Sequence, residues 1–191
     1  MTNTASTYLS ELTRLFSSME IRGRAEEIFL LDDGARRAID LIRDLKQTDR
    51  KALVVGNGGS AAIASHTQND ICKALGIRAL VFTEQPLLTA LSNDDGYEVA
   101  YEKMVKLWAQ SGDLLLAISS SGQSENILRS ARAAREAGCH IVTMSGFSPE
   151  NPLRSLGDIN FYVPSSSYGH VELVHGTLCQ FFTDALLGNA A

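Results

Sequence analysis

From Lys51 onward the chain alternates short apolar runs with longer stretches of helical periodicity, and that alternation constrains the fold more than any other feature. The strand-like runs are Ala52–Val55, Ala79–Phe82, Asp113–Ile118, His140–Ser145 and Asn160–Val163. Helical stretches lie near Ser60–Leu75, Tyr97–Gln110 and Ser124–Ala137, and a last one near Gly169–Leu187 closes the chain. Strand, helix, strand is the order of βαβ units, whose right-handed crossovers build a parallel sheet covered on both faces. The expectation is an α/β three-layer sandwich with a five-stranded parallel sheet. Upstream, Tyr8, Leu9, Leu12, Leu15, Phe16 and Met19 recur at helical spacing, as do Ala35, Ala38, Ile39, Ile42 and Leu45. These N-terminal helices lack a partner strand in this reading, so they are expected to cover the sheet or pack against another subunit. One domain over 1–191, with a helical segment over about 1–50, is the expected organisation.

Composition narrows the function classes. With 191 residues, 45% of them hydrophobic, the chain can bury one sizeable core. Seventeen Lys and Arg against 22 Asp and Glu give a net charge of −5, with no run of like charge that reads as a nucleic-acid patch. Direct binding of nucleic acid is not expected. Cys72, Cys139 and Cys179 are odd in number and sit in apolar segments, as reduced core thiols do. The N-terminus has no basic flank leading to an apolar stretch, and no apolar run approaches the ~20 residues of a membrane span. A cytoplasmic protein without a membrane partner is the expectation.

Two loops carry the chemistry. Leu114-Leu115-Leu116-Ala117-Ile118 runs into Ser119-Ser120-Ser121-Gly122-Gln123-Ser124, and a helical pattern follows. Hydroxyls and backbone N–H groups gathered at a helix N-terminus suit an anion, because unpaired donors and the positive end of the dipole point outward there. A phosphate fits. Upstream, Leu53-Val54-Val55 leads into Gly56-Asn57-Gly58-Gly59-Ser60 before another helix-favouring stretch. That loop lacks the Lys and Ser/Thr ending of a P-loop and does not match the dinucleotide fingerprint. Two such loops at strand C-terminal ends imply a shared cleft. A third loop, Ser165-Ser166-Ser167-Tyr168-Gly169-His170, precedes the last helix and is assigned to the same site.

Gly56-Asn57-Gly58-Gly59-Ser60, Asn93-Asp94, the serine loop and Glu172-Leu173-Val174-His175 together resemble the SIS (sugar isomerase) family, in particular its phosphoheptose isomerase branch. The resemblance implies a flavodoxin-like sandwich assembled as a homotetramer with sites between subunits, acting on a phosphorylated sugar such as sedoheptulose 7-phosphate. By position it makes Ser119, Ser120, Ser121 and Ser124 the phosphate cradle, with Asn57, Gly58, Gly59, Ser60, Asn93 and Asp94 along the sugar.

The same resemblance puts Asp70 at the position of the proton-abstracting base, where the family has glutamate, and Gln180 at that of a catalytic histidine. Glutamine transfers no proton at neutral pH, although it hydrogen-bonds a hydroxyl or carbonyl. Glu172 stands where the family has glutamine, so a carboxylate is gained about two turns from the histidine lost. Asp70, Glu172 and Gln180 are therefore the expected catalytic group, with His175 an alternative partner for Asp70. Some family members use zinc, and the resemblance places His66, Asp70 and Glu172 at metal positions, with Gln180 a poor ligand beside them. No cofactor is required for the expected aldose–ketose isomerisation. The Gln180 replacement opens a second reading, a non-catalytic sugar-phosphate-binding or protein-binding regulator like the relatives that associate with the replication initiator.

Overall fold

Six consecutive apolar or small residues with no turn former make Leu114–Ser119 a strand (β5) buried along its whole length, and the fold is built around it. A computed structural model describes residues 4–25 and 27–188. On either side of β5 lie β3 (Lys51–Gly56) and β6 (His140–Ser145), with β4 (Arg78–Leu80) beyond β3 and β7 (Ile159–Tyr162) beyond β6. These five strands are parallel, in the order β4-β3-β5-β6-β7. Alternate side chains separate two cores. Leu114, Leu116 and Ile118 pack with α2 (Leu31–Gln47), α3 (Gly59–Lys73) and α7 (Tyr168–Leu187). Leu115 and Ala117 pack with α5 (Tyr97–Trp108) and α6 (Glu125–Glu136). Both cores are continuous through β3 and β6, as the three-layer expectation requires.

The sheet is larger than expected, with seven strands among the described residues. Between α1 (Ala5–Ser17) and α2 the chain forms a hairpin, β1 (Glu20–Gly23) and β2 (Ile28–Phe29). β1 pairs antiparallel with β7, Ile21 opposite Phe161, and extends the parallel sheet at that edge. Ile21 is the one β1 residue that is fully buried, so the segment shows no alternation that would announce a strand. The expectation that the N-terminal segment has no strand is corrected accordingly. A helix was also missed: α4 (Gln85–Asp94) starts with Pro86 in its first turn and contains no buried residue.

Asp113, placed in a strand by its sequence, instead precedes β5 and knits its lower end. Its carboxylate accepts from Lys51 N–H at 3.0 Å, Lys51 Nζ at 2.6 Å and Gln110 N–H at 2.8 Å. Cys72, Cys139 and Cys179 are free thiols, and burial pushes the Cys139 thiol up to about 11. No helix among the described residues is long and apolar enough to cross a membrane.

Candidate active site

The strand order decides where a ligand can lodge. From β3 the chain turns toward β4 at one edge, and from β5 it turns toward β6 in the other direction. A crevice opens above the C-terminal ends of two such strands, and open α/β sheets bind ligands there. The glycine loop follows β3 and the serine loop follows β5, so both meet at this switch point.

The serine loop is braced by its own hydroxyls. Ser119 Oγ accepts from Gly122 N–H at 3.2 Å and donates to Ser124 Oγ at 3.3 Å, and Ser121 Oγ accepts from Gln123 N–H at 3.2 Å. Gly122 turns the chain at φ +65°, a left-handed conformation that glycine adopts freely. Ser124 precedes α6 without capping it through its side chain, so the leading N–H groups stay available at the positive end of the helix. Ser120 Oγ is buried with no hydrogen-bond partner among the described residues. A buried hydroxyl in that state costs free energy that a ligand oxygen relieves.

The glycine loop meets it from the other side. Gly58, at φ +54°, precedes α3 and likewise offers no side-chain cap. Gly59 lies directly under the Glu172 carboxylate of α7, and a Cβ there would overlap it. Asn57 ties this loop to α6 through two reciprocal amide bonds with Asn126, each 2.9 Å, and accepts from Tyr97 Oη at 2.7 Å. The two loops enclose a cavity of about 230 Å³ lined by Asn57, Gly58, Gly59, Ser60, Ser119, Ser120, Ser121 and Ser124, with Tyr168 and Glu172 from α7. No Lys or Arg lines it. The start of α3 and the start of α6 supply the positive potential instead.

A wider groove of about 740 Å³ shares Gly59 and Glu172 with this cavity and runs between α3 and α7. His66 and Gln180 face each other there, with His66 Nε2 3.2 Å from Gln180 Oε1 and 3.4 Å from Asp70 Oδ2. Gln180 Nε2 donates to Asp184 Oδ1 at 3.0 Å, which turns the amide oxygen toward His66. Asp70 also accepts from Asn69 Nδ2 at 3.0 Å. Asp70, His66 and Gln180 therefore form one chain of contacts, while Glu172 stands about two turns away along α7, against Gly59.

Other expected members lie elsewhere. Asn93 and Asp94, the last residues of α4, are exposed and bonded to each other at 2.8 Å, and neither lines the cavity or the groove. His175 is fully buried under β6, its Nε2 donating to the Ser145 carbonyl at 3.2 Å. Burial lowers its pKa to about 4, so it is neutral and removed from the ligand space. Of residues 165–170, Tyr168 reaches the cavity and Gly169 the groove, both in the first turn of α7, Ser165, Ser166 and Ser167 line neither, and His170 packs on the Tyr8 ring at 4.4 Å.

His66, Asp70 and Glu172 do not assemble as a zinc donor set. The first two lie near each other, but the group beside them is the neutral Gln180 amide, and among the described residues no three His, Cys, Asp or Glu are arranged to hold an ion.

Tyr97, Asn126 and Asp184 escaped the sequence reading. Tyr97 and Asn126 each stand in the first turn of a helix that abuts the switch point, which is the signal that would have marked them.

The sequence pattern of the SIS domain matches residues 8–146. The phosphoheptose isomerase of Pelobacter propionicus is 35% identical over 168 residues, which cover 82% of this chain and 86% of that protein. The phosphoheptose isomerase of Helicobacter hepaticus is 30% identical over 168 residues, covering 85% of each. Among solved structures, phosphoheptose isomerase GmhA from Neisseria gonorrhoeae superposes with a TM-score of 0.81 at 25% identity, over 95% of each chain. A sheet order of the flavodoxin type, a hydroxyl-lined crevice at its switch point and these likenesses agree: the chain belongs to the SIS domain family.

Proposed function

We propose that the protein is a sugar-phosphate isomerase that interconverts the aldose and ketose forms of a phosphoheptose such as sedoheptulose 7-phosphate. The observation that carries this reading is the cavity of hydroxyls and helix N-termini, free of Lys and Arg, which adjoins a groove lined by His66 and Gln180, with Asp70 beside His66. Neutral donors at two dipole ends hold a dianion on an acidic protein. Ser119, Ser120, Ser121 and Ser124 take the phosphate, and Asn57, Gly58, Gly59 and Ser60 take the adjoining sugar hydroxyls.

The reaction moves a carbonyl between C1 and C2, which requires one group to remove a carbon-bound proton and another to manage protons on the neighbouring oxygens. Asp70 takes the carbon proton. Of the two expected partners of Asp70, His175 is sequestered and Glu172 takes the second role, while Gln180 hydrogen-bonds a hydroxyl or carbonyl. Along α3, Asp70 comes eleven residues after Gly59, about 16 Å at the helical rise. A phosphate held by the serine loop, with sugar hydroxyls on the start of α3, thus favours a long, open-chain sugar whose far end approaches Asp70.

The exposed apolar side chains of α7, Tyr168, Leu173 and Phe181, support assembly into a homotetramer whose neighbouring subunits close the groove. The reduced cysteines support a place in the cytoplasm.

Incubation with sedoheptulose 7-phosphate in deuterated water tests the reading directly. Deuterium is expected at C1 or C2 of recovered sugar, read by NMR. A ligand that raises the melting temperature yet exchanges no carbon-bound proton would instead identify a non-catalytic binder, the reading that Gln180 at the family's histidine position suggests.

Ser120→Ala is expected to raise KM about tenfold or more with kcat little changed, from the loss of one hydrogen bond to a charged group present equally in ground and transition states. Steady-state kinetics with the same substrate checks it.

A further inference from the structure

The β1–β2 hairpin does more than lengthen the sheet. Together with the loop after β6 it encloses a hollow of about 300 Å³, separate in its lining from the serine cavity. Arg22 and Arg24 of the hairpin and Arg154 of the 3-10 turn Pro152–Ser155 line it, with Glu150 as the carboxylate among the lining residues. Three guanidinium groups around one concavity are an anomaly on a chain of net charge −5.

Arg154 is the fixed member. Its side chain is only 6% exposed, its Nη1 donates to the Pro149 carbonyl at 2.7 Å, and its guanidinium lies 4.1 Å from the centroid of the Tyr162 ring. Nη2 pairs with Glu20 Oε2 at 2.9 Å, while Nε has no acceptor among the described residues. The same Glu20 oxygen also takes Arg22 Nη2 at 3.1 Å, so one carboxylate serves two guanidiniums. The hydrogen bond from Arg154 holds the Glu20 pKa below its ordinary value, and Glu20 thus stays ionised at neutral pH. Arg24 is exposed at the hairpin turn and makes no ion pair among the described residues, with Glu27 lying beside Gly23 on the other arm. Positive charge in the hollow is left under-compensated, and guanidinium forks match tetrahedral oxyanions in geometry as well as sign.

We propose that this hollow is a second anion site, which binds inorganic phosphate or the phosphate of a small monoester independently of the serine cavity. It differs in kind from that cavity, where hydroxyls and backbone dipoles do the work, and it stands whether or not the isomerase reading holds.

Calorimetric titration of the wild-type protein with inorganic phosphate is expected to show two sites per chain. Arg22→Ala/Arg24→Ala is expected to remove one of them and to leave kcat for the isomerisation unchanged. Arg154 is kept intact in that variant, because its removal would strip Tyr162 and Glu20 of their partner. Arg24→Glu, at an exposed turn, is expected to weaken the second site about tenfold or more on its own, the effect of losing one charged hydrogen bond. Selenate soaked into crystals should place anomalous density in the hollow beside Arg22 and Arg24. Phosphate binding unchanged in both variants, or selenate found only in the serine cavity, would each overturn the proposal, whereas a single wild-type site lost in Arg22→Ala/Arg24→Ala would uphold it and count against the serine cavity.

Discussion

Asp70→Asn lowers kcat for the isomerisation by about 10²–10⁴-fold, the contribution of a placed general base, and leaves substrate-induced thermal stabilisation nearly intact. The amide is close to isosteric with the carboxylate and retains an oxygen that can accept from Asn69 Nδ2, now 3.0 Å away. The side chain is 18% exposed, so the exchange strands no buried charge and the fold should hold. What disappears is the capacity to take a proton from carbon. Binding persists because the phosphate contacts belong to the serine-lined cavity, whose lining does not include Asp70. Asp70→Glu separates position from chemistry: the family's own residue reaches one methylene further, and displacement of a base by about 1 Å can cost on the order of 10²-fold. Activity in Asp70→Glu well above that of Asp70→Asn would show that a carboxylate is needed and that its reach is tolerated. If Asp70→Asn keeps full activity, the base lies elsewhere, and Glu172 against Gly59 becomes the group to replace next.

The parallel strands were legible because burial on both faces leaves an uninterrupted apolar run, as in Leu114–Ile118, which needs no tertiary information to recognise. β1 was not legible. Its Glu20, Arg22 and Gly23 are acceptable in a strand only because β7 supplies the ladder and Arg154 supplies an ion partner. Helix α4 was hidden for the opposite reason: with no buried residue it has no face to read. At the site, both loops followed from the strand ends that carry them, and the spacing of His66 and Asp70 on α3 put them within reach of each other. The approach of Glu172 to Gly59 and the bridge from Asn57 to Asn126 join residues 113 and 69 positions apart, which local patterns cannot encode. Asn93 and Asp94 show the converse. The family resemblance put them along the sugar, yet the end of α4 carries them past the cavity of its own chain.

Gly122→Ala is expected to cost about 2–5 kcal/mol of stability and to raise KM at the same time. At φ +65° any L-residue with a Cβ carries about 1–2 kcal/mol of backbone strain. Space is the second cost, because the new methyl group would overlap the carboxamide of Asn151. That carboxamide is buried, and its Nδ2 donates to the Gly146 carbonyl at 3.1 Å, the Ser148 carbonyl at 2.8 Å and Ser145 Oγ at 3.3 Å. Moving it breaks bonds worth about 1 kcal/mol each in a place water does not reach. Moving Gly122 instead breaks the bond from its N–H to Ser119 Oγ and shifts the hydroxyls that receive the phosphate. Gly188→Ala is the control: it ends α7 in the left-handed region at φ +75° and ψ 15°, and a Cβ there meets nothing within 4 Å. Denaturant unfolding should therefore show Gly188→Ala losing only the backbone share, about 1–2 kcal/mol, with Gly122→Ala losing more. Equal losses in the two variants would mean that Asn151 yields without cost, and that the serine loop owes its shape to its own hydroxyls rather than to the wall behind it.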